Sequence, residues 1–442
     1  MIIKEYIAQT VGQALTKLLQ EKNISTELSP AIKVEYPKEE KFGDYATPVA
    51  MECAKILRMS PIQIGEEIKQ HINADVFDRI DVVKPGFINI FLSLPFLLQR
   101  LEEIVTVKDE YGKNKKSNPR KVNIEFVSAN PTGPLNVVSA RAAAVGDTLA
   151  NLLAASGDTV HREFYVNDYG NQVLWLGKSV WIRYRQMLGE DVPFPEEGYH
   201  GEYVKDIAKY IHENFSQELS HINNEEEIIN FCAQKAIEYN VASQKEDLDK
   251  FNVSFDTWFH ESTLHHSGKV LDVFKYLESL GVIRDEDGKK VFVSTQFGDD
   301  KDRVVVRDDG RPTYLMADIA YHRTKIERGY DLIIDIWGPD HHGYIARLVG
   351  AMKAMGYDEK RFRILISQQV NLLMNGEAVK MSKRLGTFST MRDLIEEIGT
   401  DVARYFFVMR SMDSHLDFDI DLAKRQSSEN PVFYLQYAHA RI

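Results

Sequence analysis

Val122-Asn123-Ile124-Glu125-Phe126-Val127, followed by Ser128-Ala129-Asn130-Pro131-Thr132-Gly133-Pro134-Leu135, is the stretch on which the fold turns. The first six residues read as a strand, and Pro131, Gly133 and Pro134 mark the loop that ends it. Beyond the loop, Ala142, Val145, Leu149, Leu152 and Leu153 share one side of a helix, with Gly157 just past its end. Strand, loop and helix in that order open a doubly wound nucleotide-binding sheet, so the predicted fold class is α/β.

A second alternation lies downstream: a helix from Ala317 to Arg328, a strand from Leu332 to Ile336, a helix from Tyr344 to Met355 and a strand from Arg363 to Ile366. Between the two, residues from about 170 to 300 are helix-rich and charged, as in Glu202 to Ser216, and are expected as an insertion. Val304-Val305-Val306, Asp308-Asp309-Gly310 and Thr313-Tyr314-Leu315 predict a hairpin. Upstream, Ile2, Ile3, Tyr6, Ile7, Val11, Ala14, Leu15, Leu18 and Leu19 form a helical stripe. Pro48 to Arg58 predicts another helix, and Asp81-Val82-Val83 leads through Pro85-Gly86 into the strand Phe87 to Leu92. The expected division is a small α+β domain over 1–107, a linker over 108–120, a doubly wound domain over 121–375, a helical region over 376–429, and the start of a further domain over 430–442.

The chain has 442 residues, enough for several domains, and is 44% hydrophobic, ample for a buried core. A net charge of -12 argues against a polyanion partner in bulk, but nucleic-acid binding needs only a local basic surface. Lys113, Lys115, Lys116, Arg120 and Lys121 form such a cluster, or equally a solvated linker. Cys53 and Cys232 are far apart and without ligand-type neighbours, which speaks against zinc and disulfides. No run is long enough to span a bilayer, and a cytoplasmic monomer is expected.

Val379-Lys380-Met381-Ser382-Lys383-Arg384 puts two lysines three apart on a loop, able to supply charge to a departing pyrophosphate. It resembles the Lys-Met-Ser-Lys-Ser signature of class I aminoacyl-tRNA synthetases. Ser128 to Leu135, Tyr165-Val166-Asn167-Asp168-Tyr169-Gly170-Asn171-Gln172, Phe297 to Arg303 and Trp337-Gly338-Pro339-Asp340-His341-His342-Gly343-Tyr344 resemble strings of the arginyl-tRNA synthetases. The similarity runs from Lys41-Phe42-Gly43-Asp44-Tyr45 to Tyr437-Ala438-His439-Ala440-Arg441, nearly the whole chain. Tyr314 and Asp318, four apart on one helix face, suit a guanidinium because a carboxylate accepts its fork of donors.

The resemblance implies a Rossmann-like class I catalytic domain that joins arginine to tRNA(Arg) in an ATP-dependent ligase reaction. The arginine carboxylate attacks the α-phosphate of ATP, with Mg²⁺ on the phosphates, and arginyl then passes to the 3′ end of the tRNA. Positioning and charge stabilisation suffice, without a general base. It implies Asn130, Glu261, Tyr314, Asp318 and His341 at arginine, and Pro134, Leu135, Asn136, Val138, Ser139, Gly338, Asp340, His342, Lys380, Met381, Ser382 and Lys383 at ATP. Of these, Lys380, Lys383, Asn136 and Ser139 are the expected catalytic groups, and Phe42, Gly43, Asp44 and Tyr45 the expected contacts to the tRNA elbow. Metal ligation by His341 and His342 is set aside, since adjacent side chains point apart and no third ligand is near.

The family's first signature, His-x-Gly-His, reads Asn136-Val137-Val138-Ser139 here. Asn136 and Ser139 can donate hydrogen bonds but carry no charge, and losing one preorganised donor costs about 3 kcal/mol in the transition state. Val138 adds two methyl groups where the family's glycine leaves room for adenine. A catalytically impaired synthetase-like protein that binds arginine or tRNA is therefore the alternative expectation. Asn430 to Tyr437 resembles the opening of the helical anticodon-binding domain, at which the chain is expected to be cut short.

Overall fold

The computed structural model describes residues 3–72, 75–379 and 390–442. The chain divides into two compact units, Met1–Gly112 and Lys113–Ile442.

In the first unit, the helix Ile3–Glu21 buries Ile7, Val11, Ala14, Leu15, Leu18 and Leu19, the stripe its periodicity predicts. An antiparallel sheet, β1 (Tyr45–Thr47), β2 (Phe77–Val83) and β3 (Phe87–Leu92), runs in the order β1-β3-β2. The single helix expected from Pro48 to Arg58 is two short ones, Val49–Glu52 and Ala54–Leu57, closed by Arg58 in a left-handed conformation at φ 52°.

The second unit is built on five parallel strands: β4 (Lys121–Glu125), β5 (Thr159–Val166), β6 (Thr257–His260), and, after an antiparallel meander of β7 (Ile283–Glu286), β8 (Lys289–Phe292) and β9 (Arg303–Val306), β10 (Leu332–Trp337) and β11 (Phe362–Ile366). Their order is β11-β10-β4-β5-β6, so the chain winds outward from β4 to β6 and then returns to the other side of β4. The reversal falls between β4 and β10, where open α/β sheets bind ligands at the carboxyl ends of their strands.

Two expectations need correction. The stretch 170–300 is not wholly an insertion, because Thr257–His260 within it pairs with β5 as an edge strand of the sheet. Its helices, Asn171–Met187, Glu202–Ser220 and Glu225–Lys250, form the crossover from β5 to β6. The hairpin expected around Asp308-Asp309-Gly310 closes by one bridge only, Val306 to Pro312, and Tyr314 already begins a helix, Tyr314–Glu327. Pro312 has no N–H with which to extend a ladder.

A last small sheet pairs β12 (Val370–Met374) with β13 (Glu377–Val379) through the turn Asn375-Gly376, both at positive φ, and with β14 (Leu416–Asp419). In the expected linker, Lys116 and Arg120 each bond Asp158 at 2.7 Å, so these two members of the basic cluster have a local counter-charge. No helix among the described residues is long and apolar enough to cross a membrane.

Candidate active site

The loop after β4 begins with two non-glycine residues in the left-handed region, Val127 at φ 68° and Ser128 at φ 39°. A β-branched residue rarely adopts this conformation, so its neighbours must impose it. The Ser128 hydroxyl donates to Glu125 Oε1 at 2.8 Å and accepts the Tyr165 N–H at 3.0 Å, tying the turn to β4 and β5. Further on, the crossover helices satisfy the loop's carbonyls. Gln244 donates to Asn130 O and Gly133 O, Asn240 to Pro131 O, and Tyr203 to Thr132 O. A loop with every exposed carbonyl left to water would wander; this one is held by side chains from two helices. Asn130 itself donates to Gln172 at 3.0 Å.

The helix Val137–Ala155 starts at Asn136, whose Oδ1 accepts the Ser139 N–H at 2.9 Å and the Ser139 hydroxyl at 3.2 Å. The altered signature is thus a helix cap, with its two polar side chains turned onto each other. Val138 is partly buried beside them. Pro134 is exposed, whereas Leu135 is buried. Gly338, Asp340, His341 and His342 follow the carboxyl end of β10, next to β4, and both histidines are exposed. Lys380, Met381, Ser382 and Lys383 lie outside the described residues. The helix expected near Met391 is present, begun by a reciprocal cap between Thr390 and Asp393.

At the carboxyl ends of β5 and β6 a cleft of about 780 Å³ opens, lined among others by Asp168, Glu261, His265, Arg307 and Tyr314. Asp168 accepts the Ser262 N–H and hydroxyl and meets His260 Nδ1 at 2.7 Å, which fixes the turn carrying Glu261. Glu261 is buried, and burial, with Asp168 nearby, pushes its carboxyl up to about 7 although the Tyr165 phenol opposes this. Asp318, one turn along the helix from Tyr314, is pushed up to about 6, first by burial and also by Glu261. The Tyr344 phenol is driven far above its ordinary range, first by burial and then by the Asp318 carboxylate it faces. Tyr314 is 53% exposed, its ring at the cleft mouth. Two desolvated carboxyls that repel each other, flanked by phenols, are a poor arrangement for an empty pocket and a good one for a cation. Glu261 and Tyr314 line this cleft and Asp318 lies one turn further along the helix, within electrostatic reach of Glu261, whereas Asn130, Asn136 to Ser139 and Gly338 to His342 group around β4 and β10.

Beneath this site lies a set of charges that inspection of the sequence missed. Asp335, Glu125 and Glu163 are register partners on β10, β4 and β5, all buried. Lys325, wholly buried, reaches Glu125 at 2.6 Å and Asp335 at 2.7 Å. Arg328 and the Tyr321 hydroxyl hold Glu163, at 2.5 and 2.6 Å. His322 bridges Asp335 Oδ2 at 2.7 Å and the Asp318 carbonyl at 2.8 Å. Burial opposes charge on all of them. Lys325 and His322 nevertheless hold Asp335 well below the carboxylate range, Arg328 holds Glu163 low, and Asp335 raises His322. A signal was available: single carboxylates interrupt strands that are otherwise mostly apolar.

In the first unit, Gly43 sits at φ 93° where a Cβ would meet Ile90 O at 2.7 Å, and Asp44 accepts the Leu92 N–H at 2.8 Å. Tyr45 is buried and its phenol pushed up to about 12, mostly by burial, so of the four expected tRNA contacts Asp44 is exposed and Phe42 and Gly43 are half-buried.

A family description, "Arginyl tRNA synthetase N terminal domain", matches residues 3–92, and "tRNA synthetases class I (R), catalytic domain" matches residues 100–411. An arginine–tRNA ligase of Leptospira interrogans is 52% identical over 468 aligned positions, covering 100% of this chain and 80% of that protein. One from Geobacillus thermodenitrificans is 46% identical, covering 100% and 78%. A crystal structure described as a putative arginyl-tRNA synthetase from Campylobacter jejuni matches with TM-score 0.73 and 40% identity, over 79% of this chain and 76% of that one. The Thermus thermophilus arginyl-tRNA synthetase, at 19% identity, shares the fold with TM-score 0.65 over 100% and 81%.

Proposed function

The chain belongs to the class I arginine–tRNA ligases, and from that we propose that Glu261, Tyr314 and Asp318 grip the guanidinium of the arginine it activates. It is an ATP-dependent aminoacyl-tRNA ligase, as its relatives are, rather than a mute binding protein. What carries the assignment is the pair of raised, buried carboxyls of Glu261 and Asp318, which a substrate cation would neutralise.

The α-amino end of arginine then points toward Asn130 and His341. ATP lies across the carboxyl ends of β4 and β10, against Pro134, Leu135, Gly338, Asp340 and His342. Asn136, Val138 and Ser139 meet it at the start of the helix Val137–Ala155. Asn136 and Ser139 leave each other to donate neutral hydrogen bonds to the phosphates, and Lys380 and Lys383, flanking Met381 and Ser382, supply the positive charge. Mg²⁺ enters with ATP, on its phosphates. Phe42, Gly43, Asp44 and Tyr45 form the face offered to the tRNA elbow, and the enzyme acts as a monomer in the cytoplasm.

The test is arginine binding by calorimetry to the parent chain and to Asp318→Ala. Leaving Glu261 without its partner across the cation should weaken binding by about 3 kcal/mol, roughly a hundredfold. Unchanged affinity in a folded Asp318→Ala protein would overturn the assignment.

A further inference from the structure

Helices usually pack on sheets through apolar side chains, yet the helix Tyr314–Glu327, with Arg328 at its end, meets this sheet through His322, Lys325 and Arg328 as well as Tyr321. The three carboxylates it meets stand side by side across β10, β4 and β5, where like charges repel. Hydrogen-bond chemistry fixes the charge on His322. Its Nδ1 faces a carbonyl oxygen and its Nε2 a carboxylate, both acceptors, so both nitrogens carry protons. His322, Lys325 and Arg328 then balance Asp335, Glu125 and Glu163, three against three. Nothing in that row is left over to neutralise Glu261 or Asp318.

Buried ion networks of this kind are weak devices for stability, since apolar side chains of similar size do as well or better. They are strong devices for register, because a one-residue slip of the helix would strand several charges at once. The consequence falls on the arginine pocket. His322 follows Asp318 by one turn and bonds its carbonyl, and Lys325 is one further turn along the same face. Glu125, at the other end of the Lys325 contact, also holds the Ser128 hydroxyl in the strained turn that leads to Asn130.

We propose that His322 and Lys325 are positioning residues for arginine recognition, setting the helix on the carboxylate row so that Asp318 is held where it and Glu261 can share one cation. They touch no substrate; they act through Asp318 and through the turn at Val127-Ser128. This role presupposes the arginine pocket of Glu261, Tyr314 and Asp318.

The experiment uses the whole chain, with three ligands measured on each variant by calorimetry: arginine, its uncharged ureido isostere citrulline, and ATP. His322→Gln removes the charge and the carbonyl bond while keeping a polar group toward Asp335. Arginine should bind it at least tenfold more weakly, with citrulline and ATP within twofold of the parent. The preference for the charged ligand therefore collapses while the nucleotide site is untouched. Loss of arginine and ATP affinity by the same factor would mean a general structural role and overturn the proposal, as would an unchanged preference for arginine over citrulline. If His322→Gln does not fold, Lys325→Met, which removes the charge and shortens the unbranched side chain by one atom, is judged by the same ratio. A folded parent chain that shows no preference for arginine over citrulline removes the pocket itself, and this role with it.

Discussion

On one face of the parallel sheet the helix Val137–Ala155 lies so close that a Cβ on Gly146 would stand 2.2 Å from Phe126 Cγ. Ala143 and Ala150, on the same side of the helix as Gly146, belong to one buried core with Val122, Ile124 and Phe126. On the other face the helix Tyr314–Glu327 stands on Asp335, Glu125 and Glu163 through long cationic arms. The two faces belong to the same strands: along β4, Val122, Ile124 and Phe126 point one way, and Asn123 and Glu125 the other. Small apolar residues give tight contact without specifying direction, so against β4 the first helix is held chiefly by shape. Its charged bonds fall to the side, where Asp147 and Asn151 meet Arg162 and Arg141 meets the carbonyls of Gln368, Ser411 and Ser414. Paired charges give up part of their attraction to desolvation but tolerate only one register. The face that carries Tyr314 and Asp318 is the one built on charge.

The sharpest way to break the contrast is Arg328→Met. It leaves Glu163 buried with the Tyr321 hydroxyl, the Asn123 amide and, at 3.9 Å, the His161 ring, and should cost about 4 kcal/mol of stability, read as a shifted urea midpoint. A shift below about 1 kcal/mol would mean that the row is softer and wetter than its geometry implies. On the opposite face, Gly146→Val should cost about 2 kcal/mol by overpacking against Phe126, with the arginine affinity unchanged. If arginine binding weakened as much as stability, the faces would not be separable.

The smallest expected effect concerns pH. Glu261 titrates at about 7 and Asp318 at about 6 in the empty pocket, both above the ordinary carboxylate range. The unliganded protein therefore gains stability from these two groups at low pH and loses it as pH rises through 6 and 7. Arginine needs the ionised forms, so its affinity should run the opposite way. A tenfold weaker Kd at pH 6 than at pH 8, about 1.4 kcal/mol, is the expected result. A flat profile would show that the two carboxyls do not bind the cation.

The elements on the apolar face were legible in the sequence, but not the buried side of the helix. The loop after Val127, the helix beyond it and the downstream strands appear close to their predicted places. Yet Ala142, Val145, Leu149 and Leu153 are only half-buried and Leu152 is exposed, while the smaller Ala140, Ala143, Ala144, Gly146 and Ala150 are the ones buried. β6 was not legible, because four residues between a long helix and a six-residue one, at the edge of a sheet, leave too short a pattern to distinguish from a loop. Tyr314 and Asp318 could be paired from their spacing on one helix. Lys325 and Glu125 could not, since they meet only after the chain has wound out to β6 and back across 200 residues. Local periodicity reports which side of an element is apolar; it says nothing of which distant charge a buried charge will meet.

During synthesis, β4 and β5 leave the ribosome well before Leu332 begins β10. At about 5–20 residues per second, a gap of about 200 residues leaves β4 with an open edge for roughly 10–40 s. Naked edges of apolar strands seek other strands, and charge pointing inward from such an edge discourages them. Glu125 and Glu163, still without Lys325 and Arg328, carry that charge through the interval. The nascent half-sheet is thus kept from sticking to its neighbours by the same acids that later receive the helix.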